Sequence, residues 1–535
     1  MKSIKKILAV ILSMTLMLTL GTAAFGAQKT LPSGKDTGSI NVTNLKPGDT
    51  VTAYQFVKAD YNEYGFTGYS AINNYVKDPV APTAQEVIDM ASNAATMTVA
   101  AEKKVATGDT EVTLNGLPVG YYLVMVTSGS ETVYSPMIAG IYYSKSATDN
   151  TLTNGAISAD SDFEIKAQKC WAKSSTPKLE KTIVTPSSKN SKGDDIAIGD
   201  KITFNLSATV PSYSREYKKV TYKIYDIMSE GLDYVDGSMK CFIEKYENNR
   251  ENIKVTPKVN GGIIEITFDS KFILEHPGQK IQVEYQAKLN EKAGVNFDAN
   301  INKAYLEYSN NPASGSTAKT GEDKVYVYTF GIDSNLFGKS TEKWNEKTKE
   351  LIKVEEGEYQ WVETEKESGI FTTTTALEGA TFTLTNNKTK KSYTATSDKY
   401  GYLKFTGLDA GEYTLQETDA PDGFTLNDAK HTVVITAEYN QDGTLKSYTI
   451  KIDDKATSTY TATYDKGVIK TITSTKDSQG NISESAILKN SKMSFLPSTG
   501  GVGTTIFAIV GVVFVAVALG LHMILRGKSK LEQDR

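Results

Sequence analysis

Histidine and cysteine, which supply most metal ligands and many catalytic nucleophiles, are scarce in this sequence. Its 535 residues include 3 His and 2 Cys. The histidines, His276, His431 and His522, do not have the spacing of a zinc site. The sequence also has no Walker-type phosphate loop, no G-x-S-x-G turn and no Cys/His nucleophile pattern. These absences argue against an enzyme, and nothing in the sequence calls for a metal or another cofactor.

The two cysteines, Cys170 and Cys241, could pair in an oxidising compartment. They fall in different domains of the division given below, so we expect both thiols to be free. A chain with at most one disulfide needs another source of covalent or packing stability if it is exported.

Charge of one sign and helical periodicity are also lacking. The chain has 59 Lys and Arg against 63 Asp and Glu, a net charge of -4, which gives no basic footprint for nucleic acid. Helical periodicity is confined to "APTAQEVIDMASNAA". The sequence is instead rich in Tyr (30), Phe (18) and Gly (41), with short alternating runs such as "KITFNLSATV". We therefore predict an all-β protein of tandem immunoglobulin-like β-sandwich domains.

Two long hydrophobic runs interrupt this polar chain, and the first is N-terminal. Lys2, Lys5 and Lys6 precede a mostly apolar stretch over residues 7–20, and small residues follow up to Ala27. This order predicts a secretory signal peptide over residues 1–27, which has no part in the fold.

The second hydrophobic run covers residues 506–525 and is followed by Arg526, Lys528 and Lys530. A helix of this length, at about 1.5 Å per residue, covers the roughly 30 Å core of a bilayer, and the basic residues after it stay cytoplasmic. A pentapeptide precedes the run: Leu496, Pro497, Ser498, Thr499 and Gly500.

Residues 496–535 as a whole resemble the cell-wall sorting signal of Gram-positive surface proteins, whose motif is L-P-x-T-G. The resemblance implies that the membrane span only holds the chain while a sortase cysteine attacks the carbonyl of Thr499. The part from Gly500 onward is then released, and a covalent link to the cell wall replaces the membrane anchor.

Two polar junctions divide the remaining chain. "KSSTP" at residues 173–177 is a short linker that ends in proline, and "NNPASGSTAKTG" at residues 310–321 is a loop before a strand. We therefore predict an N-terminal domain (28–170), a middle domain (173–322) and a C-terminal domain (323–495). The stretch at residues 340–369 is rich in Glu and Lys, so we interpret it as a solvated hairpin inserted in the last domain.

Strand alternation places polar residues on core-facing positions of the middle domain. Lys181 shares a face with Leu179 and Ile183 in "PKLEKTIV". The same parity aligns Asp226 with apolar residues of "VTYKIYDIM", and Asn302 with those of "NINKAYLEY". Lys, Asp and Asn directed into one apolar core are costly unless they meet.

The C-terminal domain repeats this set in the same order. Lys339 is in phase with a phenylalanine in "LFGK", Glu417 with Tyr413 in "GEYTLQETDAPDGF", and Asn490 with the apolar residues of "SAILKNSK". The N-terminal domain shows no comparable triple.

At these residues the chain resembles the Gram-positive shaft pilins, the backbone subunits that sortase polymerises into surface pili. "YTLQETDAPDGF" is similar to the E-box of that family, and "LKNSKMSFLPSTG" to its junction of last strand and sorting signal. The resemblance covers nearly the whole chain and implies Cna-type sandwich domains, of the Cna B type at the C-terminal end.

In that family such triples form intramolecular isopeptide bonds, which implies links between Lys181 and Asn302 and between Lys339 and Asn490. Burial lowers the pKa of the amine, so that the neutral form can attack. Asp226 and Glu417 are then the acids that polarise the carboxamide and transfer protons. The alternative is that the lysines are ordinary surface side chains and Glu417 a turn carboxylate.

The resemblance also implies a lysine that joins one subunit to Thr499 of the next. The family places it late in the first domain, in a V-x-V-Y-P-K motif, and this chain has "DFEIKAQKCWAKSSTP" there, without Tyr-Pro before a lysine. Lys169 is the favoured candidate, with Lys166 and Lys173 as alternatives.

The sequence thus predicts a structural shaft subunit at the cell surface. The implied partners are sortase, further copies of the chain, ancillary pilins, peptidoglycan and a possible host surface ligand. A wall-anchored monomeric adhesin, or a basal or tip pilin, is the alternative. A tip adhesin of the metal-dependent type would carry D-x-S-x-S, which the sequence lacks.

Overall fold

The computed structural model describes residues 31–129, 131–144, 156–157, 163–184, 186–245, 249–333, 350–355, 358–364, 371–375, 378–398, 403–422, 424, 426–453 and 456–476. Strands dominate these ranges, which confirms the prediction of an all-β protein. No helix among the described residues has the length and hydropathy to cross a bilayer, and the span predicted at residues 506–525 lies outside them.

The N-terminal part contains the strands β1 (Thr37–Thr43), β2 (Thr50–Asn62), β3 (Gly65–Ala71), β4 (Val99–Lys104), β5 (Glu111–Pro118), β6 (Gly120–Thr127), β7 (Val133–Tyr134), β8 (Met137–Ser144), β9 (Glu164–Ala167), β10 (Cys170–Trp171) and β11 (Ser174–Ser175). One sheet has the order β3-β2-β6-β8-β9, with β4 on β2, and the other has the order β10-β1-β5. Helix α1 (Ala84–Ser92) confirms the helical prediction; Thr83 caps it and forms a capping box with Glu86.

The middle part contains the strands β12 (Leu179–Ile183), β13 (Gly193–Asp195), β14 (Lys201–Thr209), β15 (Tyr222–Met228), β16 (Leu232–Tyr234), β17 (Lys240–Lys245), β18 (Asn249–Ile253), β19 (Lys258–Asn260), β20 (Ile263–Thr267), β21 (Lys280–Leu289), β22 (Asn300–Asn311), β23 (Ser316–Lys319) and β24 (Asp323–Tyr328), and the helix α2 (Ser270–Glu275). Its two sheets have the orders β12-β14-β21-β17-β18 and β13-β24-β22-β15-β20-β19. Alternate residues of both sheets form one apolar core, for example Phe204 and Leu206 from one sheet and Ile224 and Leu306 from the other.

The C-terminal part contains the strands β25 (Phe330–Asp333), β26 (Glu350–Glu355), β27 (Glu358–Thr364), β28 (Phe371–Thr375), β29 (Thr381–Asn386), β30 (Ser392–Thr396), β31 (Lys404–Leu408), β32 (Gly411–Asp419), β33 (Lys430–Tyr439), β34 (Leu445–Ile452), β35 (Ala456–Asp465) and β36 (Val468–Lys476). Its main sheet has the order β30-β29-β32-β33-β34-β35-β36. Strands β26 and β27 pair antiparallel inside the predicted insertion, and β28 pairs with β27.

Strand β24 connects the middle and C-terminal parts. It pairs with β22, from Asn300 opposite Val327 to Ala304 opposite Asp323, and so completes a sheet of the middle part. Tyr326 and Tyr328 on the same strand pack in the C-terminal core. The domain boundary predicted at residues 322 and 323 therefore falls at the start of a strand that both cores share.

Candidate functional site

Lys181, Asp226 and Asn302, the triple predicted in the middle domain, lie together in the core between the two sheets. Each is fully buried, which confirms the core-facing parity that the sequence predicts. Lys181 is on β12 of one sheet, while Asp226 and Asn302 are on the adjacent strands β15 and β22 of the other. The cluster therefore bridges the sandwich from its first strand to one of its last.

The amine of Lys181 forms a buried ion pair with Oδ2 of Asp226. Its Nζ also lies 3.1 Å from the hydroxyl oxygen of Tyr285 on β21. The rings of Phe204 and Tyr285 have their centroids 5.0 Å and 5.3 Å from Nζ. Aromatic walls thus exclude water from the amine and leave the acid and the phenol as its polar partners.

Burial opposes charge on both members of this pair. Desolvation lowers the pKa of Lys181, against the opposing pull of Asp226, and raises the pKa of Asp226, against the opposing pull of Lys181. Each shift moves the pair towards neutral amine and neutral acid. A neutral amine has the free electron pair that a nucleophile needs.

Tyr285 connects Asn302 to the ion pair of Lys181 and Asp226. The amide Nδ2 of Asn302 donates a hydrogen bond of 2.7 Å to the Tyr285 hydroxyl, and that hydroxyl donates one of 2.7 Å to Oδ1 of Asp226. Oδ1 of Asn302 is buried without a hydrogen-bond partner among the described residues. Asp226 and Asn302 are thus connected through the phenol, and no direct hydrogen bond joins them among the described residues.

Tyr285 and Phe204 are not among the residues predicted from the sequence. Both lie on alternating strands, Tyr285 in phase with Ile281 and Val283, and Phe204 in phase with Leu206. Parity alone could have placed the Tyr285 hydroxyl in the core, where a phenol needs a polar partner.

The triple predicted in the C-terminal domain is described in part. Glu417 is 2 % exposed, on β32 opposite Phe382 of β29. Its Oε2 accepts a hydrogen bond of 2.7 Å from the backbone N–H of Asn427. Lys339 and Asn490 lie outside the described residues.

The three candidate lysines for linking subunits lie at the end of the N-terminal part. Lys166 is half-buried on β9, Lys169 is exposed between β9 and β10, and Lys173 is exposed between β10 and β11. β9 pairs with β8 in one sheet and β10 pairs with β1 in the other, so Lys169 lies where the chain changes sheets.

The remaining predicted features divide between the described residues and the rest of the chain. Cys170 and Cys241 are free and buried in different cores, as expected. Among the described residues, no group of three or more His, Cys, Asp and Glu is placed to hold a metal. The signal peptide and the residues Leu496 to Gly500 lie outside the described ranges.

Three parts of the chain match known protein families. Residues 35–174 match the T6 antigen Ig like domain, residues 360–453 match a prealbumin-like fold domain, and residues 489–530 match the LPXTG cell wall anchor motif. The last match covers the predicted sorting signal up to its basic cluster.

Whole-chain comparisons find similar proteins. The trypsin-resistant surface T6 protein of Streptococcus pyogenes serotype M6 is 26% identical, over 93% of this chain and 96% of its own. The solved structure of the T6 backbone pilin of the same serotype has a TM-score of 0.56 and 22% identity, covering 76% of this chain and 83% of that one. The major pilin SpaD of Corynebacterium diphtheriae has a TM-score of 0.44 and 17% identity, covering 75% and 91%.

Proposed function

We propose that this chain, a sortase-assembled Gram-positive pilin of the cell-wall surface, is the shaft subunit of a covalent pilus, closed internally by isopeptide bonds. The cell-wall anchor motif at residues 489–530 supports the sorting reaction, with sortase and peptidoglycan as partners. Likeness to the T6 backbone pilin over most of both chains carries the proposal of a shaft subunit and supports polymerisation with further copies of itself.

Sortase is proposed to act at Thr499. Its cysteine attacks the carbonyl carbon of Thr499, the bond to Gly500 breaks, and the acyl group stays on the enzyme. Residues 506–525 hold the chain in the membrane until then, with Arg526, Lys528 and Lys530 on the cytoplasmic side.

Lys169 is proposed as the amine that takes this acyl group from the neighbouring subunit. Its side chain is exposed, while hydrogen bonds hold the backbone on both sides of it. Gln168 and Gly140 exchange two hydrogen bonds of 2.9 Å, and Cys170 is opposite Val42 in the parallel pair of β10 and β1. An exposed amine on a fixed backbone suits transfer between two proteins.

Lys166 and Lys173 remain the alternatives. Lys166 is half-buried in the middle of β9, so its amine is less accessible. Lys173 is exposed, and its carbonyl accepts a hydrogen bond of 3.0 Å from the N–H of Ser135.

The internal bonds are proposed to join Lys181 to Asn302 and Lys339 to Asn490, with Asp226 and Glu417 as the respective acids. The contacts of Lys181 support the first bond: a desolvated amine, paired with a desolvated acid, shares a phenol with the asparagine. The burial of Glu417 and its place in the E-box support the second. The amine displaces ammonia from the carboxamide, and an amide joins distant strands.

Ancillary pilins and a host surface ligand are proposed as further partners of the assembled shaft. The competing function is a wall-anchored monomeric adhesin, or a basal or tip pilin. It shares the sorting reaction but needs no lysine that accepts a neighbouring subunit.

An immunoblot of cell-wall extract tests the shaft function. A shaft subunit gives a high-mass ladder that survives boiling, while a monomeric adhesin gives one wall-linked species. Thr499→Ala should leave the chain in the membrane fraction, and Lys169→Ala should abolish the ladder but keep folded monomer.

Lys166→Ala and Lys173→Ala are the matched controls and should keep the ladder. A ladder that persists when all three lysines are replaced would reject this segment as the linking site. Wall-linked protein in Thr499→Ala would reject the sorting assignment.

A further inference from the structure

We propose that Tyr285 is the positioning residue of the Lys181–Asn302 reaction and the proton donor to its leaving nitrogen. This inference rests on the proposed function, since it concerns the chemistry of the internal bond. The supporting observation is that one buried hydroxyl contacts the other three members of the cluster: the amine of Lys181, the acid of Asp226 and the amide of Asn302.

The hydroxyl orients the carboxamide. Nδ2 of Asn302 donates to it at 2.7 Å, while Oδ1 of Asn302, which is also buried, has no hydrogen-bond partner in the part of the chain that the structure describes. The hold on Nδ2 therefore sets the rotation of the carboxamide about its Cβ–Cγ bond. This hydrogen bond keeps Nδ2, the leaving nitrogen, next to the Tyr285 hydroxyl, which in turn contacts the carboxyl group of Asp226.

The reaction needs a proton at that nitrogen. An amide nitrogen leaves as ammonia only when it gains a third proton, and the buried cluster offers few donors. In the structure the Asp226 carboxyl reaches Asn302 by way of the Tyr285 hydroxyl. The proton therefore passes through the phenol.

A proton transfer accompanies each change of bonding. The Lys181 ammonium passes one proton to Asp226, and the neutral amine then forms a bond to Cγ of Asn302. Tyr285 gives its hydroxyl proton to Nδ2 and takes the proton of the Asp226 acid, as the Cγ–Nδ2 bond breaks and ammonia leaves. The new amide nitrogen returns its extra proton to Asp226, which ends as the neutral acid.

Tyr285 completes this exchange without becoming a free phenolate. Burial, followed by the charge of Asp226, raises the pKa of Tyr285 well above its usual value. The hydroxyl must therefore receive one proton as it gives the other, which its simultaneous contacts with Asp226 and Asn302 allow. The phenol acts as a relay between acid and leaving group.

Tyr285→Phe in the full chain tests this role, because it removes the hydroxyl and keeps the ring. Tyr222→Phe is the matched control: Tyr222 is buried in the same core, and its hydroxyl has no hydrogen-bond partner within the described ranges. Intact mass and tryptic mapping follow the loss of ammonia with time after synthesis, in the fraction of protein that resists protease and is therefore folded.

We expect the control to link as completely as the parent chain. The Tyr285→Phe variant should link at least tenfold more slowly and leave a mixture of linked and unlinked chains. Its rate should rise as the pH falls, since water must then protonate the leaving nitrogen. A merely structural role of Tyr285 would not produce this pH dependence.

Two results separate the possible failures. A parent chain without the mass loss would overturn the internal bond itself, and the relay with it. A parent chain with the bond and a Tyr285→Phe variant that links at the parent rate would overturn the relay alone. If Tyr285→Phe does not fold, 3,5-difluorotyrosine at position 285 is the second variant, because it keeps the hydroxyl that the relay needs. A folded difluorotyrosine protein that does not form the link would also overturn the relay.

Discussion

The ammonium group of Lys192 lies 2.6 Å from the carboxylate of Asp323, and together they bind both backbone polar groups of Lys181. The N–H of Lys181 donates to Asp323 at 2.7 Å, and its carbonyl accepts from Lys192 at 2.6 Å. Lys181 is on β12 at the end of one sheet, while Asp323 begins β24 of the other. The ion pair thus fixes the point at which the Lys181 side chain enters the core.

Removal of the Lys192–Asp323 ion pair, here called the clamp, should slow the formation of the internal bond. We expect Lys192→Ala and Asp323→Ala each to lower the unfolding free energy by about 1–2 kcal/mol, because a backbone hydrogen bond to a charged group is lost with the pair. The fraction of chains linked soon after synthesis, measured by intact mass, should fall in both variants.

Lys303→Ala is the control for the clamp. It breaks the nearby pair of Lys303 and Glu322, whose side chains are 37% and 48% exposed, so it should cost less than about 1 kcal/mol and leave linking unchanged. The clamp has no role in the reaction if its variants link as fast as Lys303→Ala.

The mass of the fragment 28–495 should reveal both internal bonds. Each bond releases one ammonia, so this fragment should weigh two ammonia molecules less than its sequence mass. Tryptic mapping should show Lys181 joined to Asn302 and Lys339 joined to Asn490. Glu417→Ala should abolish only the second bond and Asp226→Ala only the first.

Loss of one bond should lower the stability of its domain by an amount comparable to a lost disulfide, about 2–5 kcal/mol, because the bond closes a long loop. Urea unfolding of the parent chain, Asp226→Ala and Glu417→Ala measures it. A mass equal to the unmodified sequence would rule out both bonds.

Cys170 and Cys241 should report the opening of two domains separately. They are 5% and 4% exposed, and desolvation raises the pKa of each thiol to about 12. Neither should react with iodoacetamide in the native protein at pH 8. In increasing urea, Cys170 should react first, since the bond proposed in the middle domain keeps Cys241 protected.

In Asp226→Ala, Cys241 should react at a lower urea concentration than in the parent chain, and the reaction of Cys170 should not change. Reaction of Cys241 at the same urea concentration in both chains would contradict the prediction.

The raised thiol pKa also makes the free energy of unfolding depend on pH. The contribution of each buried thiol is full below the unfolded pKa of about 8.5 and falls as the pH rises above it.

Asp195 should make the contact between the middle and C-terminal parts pH-dependent. Its carboxylate accepts a hydrogen bond of 2.5 Å from the N–H of Ala410 and one of 2.7 Å from the hydroxyl of Tyr439. Desolvation, partly offset by these donors, raises the pKa of Asp195 to about 6. The raised pKa adds stability that is full below about pH 4 and is lost as the pH rises through 6.

The size of this effect is at most about 3 kcal/mol, from a pKa difference of roughly two units. Thermal unfolding from pH 4 to 7 should show the loss in the parent chain and not in Asp195→Asn. Asp200→Asn removes a half-exposed carboxylate, which pairs with Lys391 across the same contact, and should cost less than about 1 kcal/mol. The same pH dependence in Asp195→Asn would contradict the assignment.

Local patterns in the sequence determined the all-β class, helix α1 and the burial of Lys181, Asp226 and Asn302. The reason is that side chains alternate between the faces of a strand, so an apolar neighbour two residues away indicates the direction of a polar one. Local patterns could not show that β24 completes a sheet of the middle part, because that depends on its pairing with β22, a separate stretch of the chain.

Tertiary structure alone decided which inward-facing groups meet. Tyr285 reaches Lys181 because β21 and β12 flank β14 in one sheet, and it reaches Asp226 and Asn302 because the other sheet packs against that face. Lys192 and Asp323 meet at Lys181 across 131 positions of sequence. Such contacts depend on the register of several strand pairs and on the packing of two sheets, which no single stretch of sequence encodes.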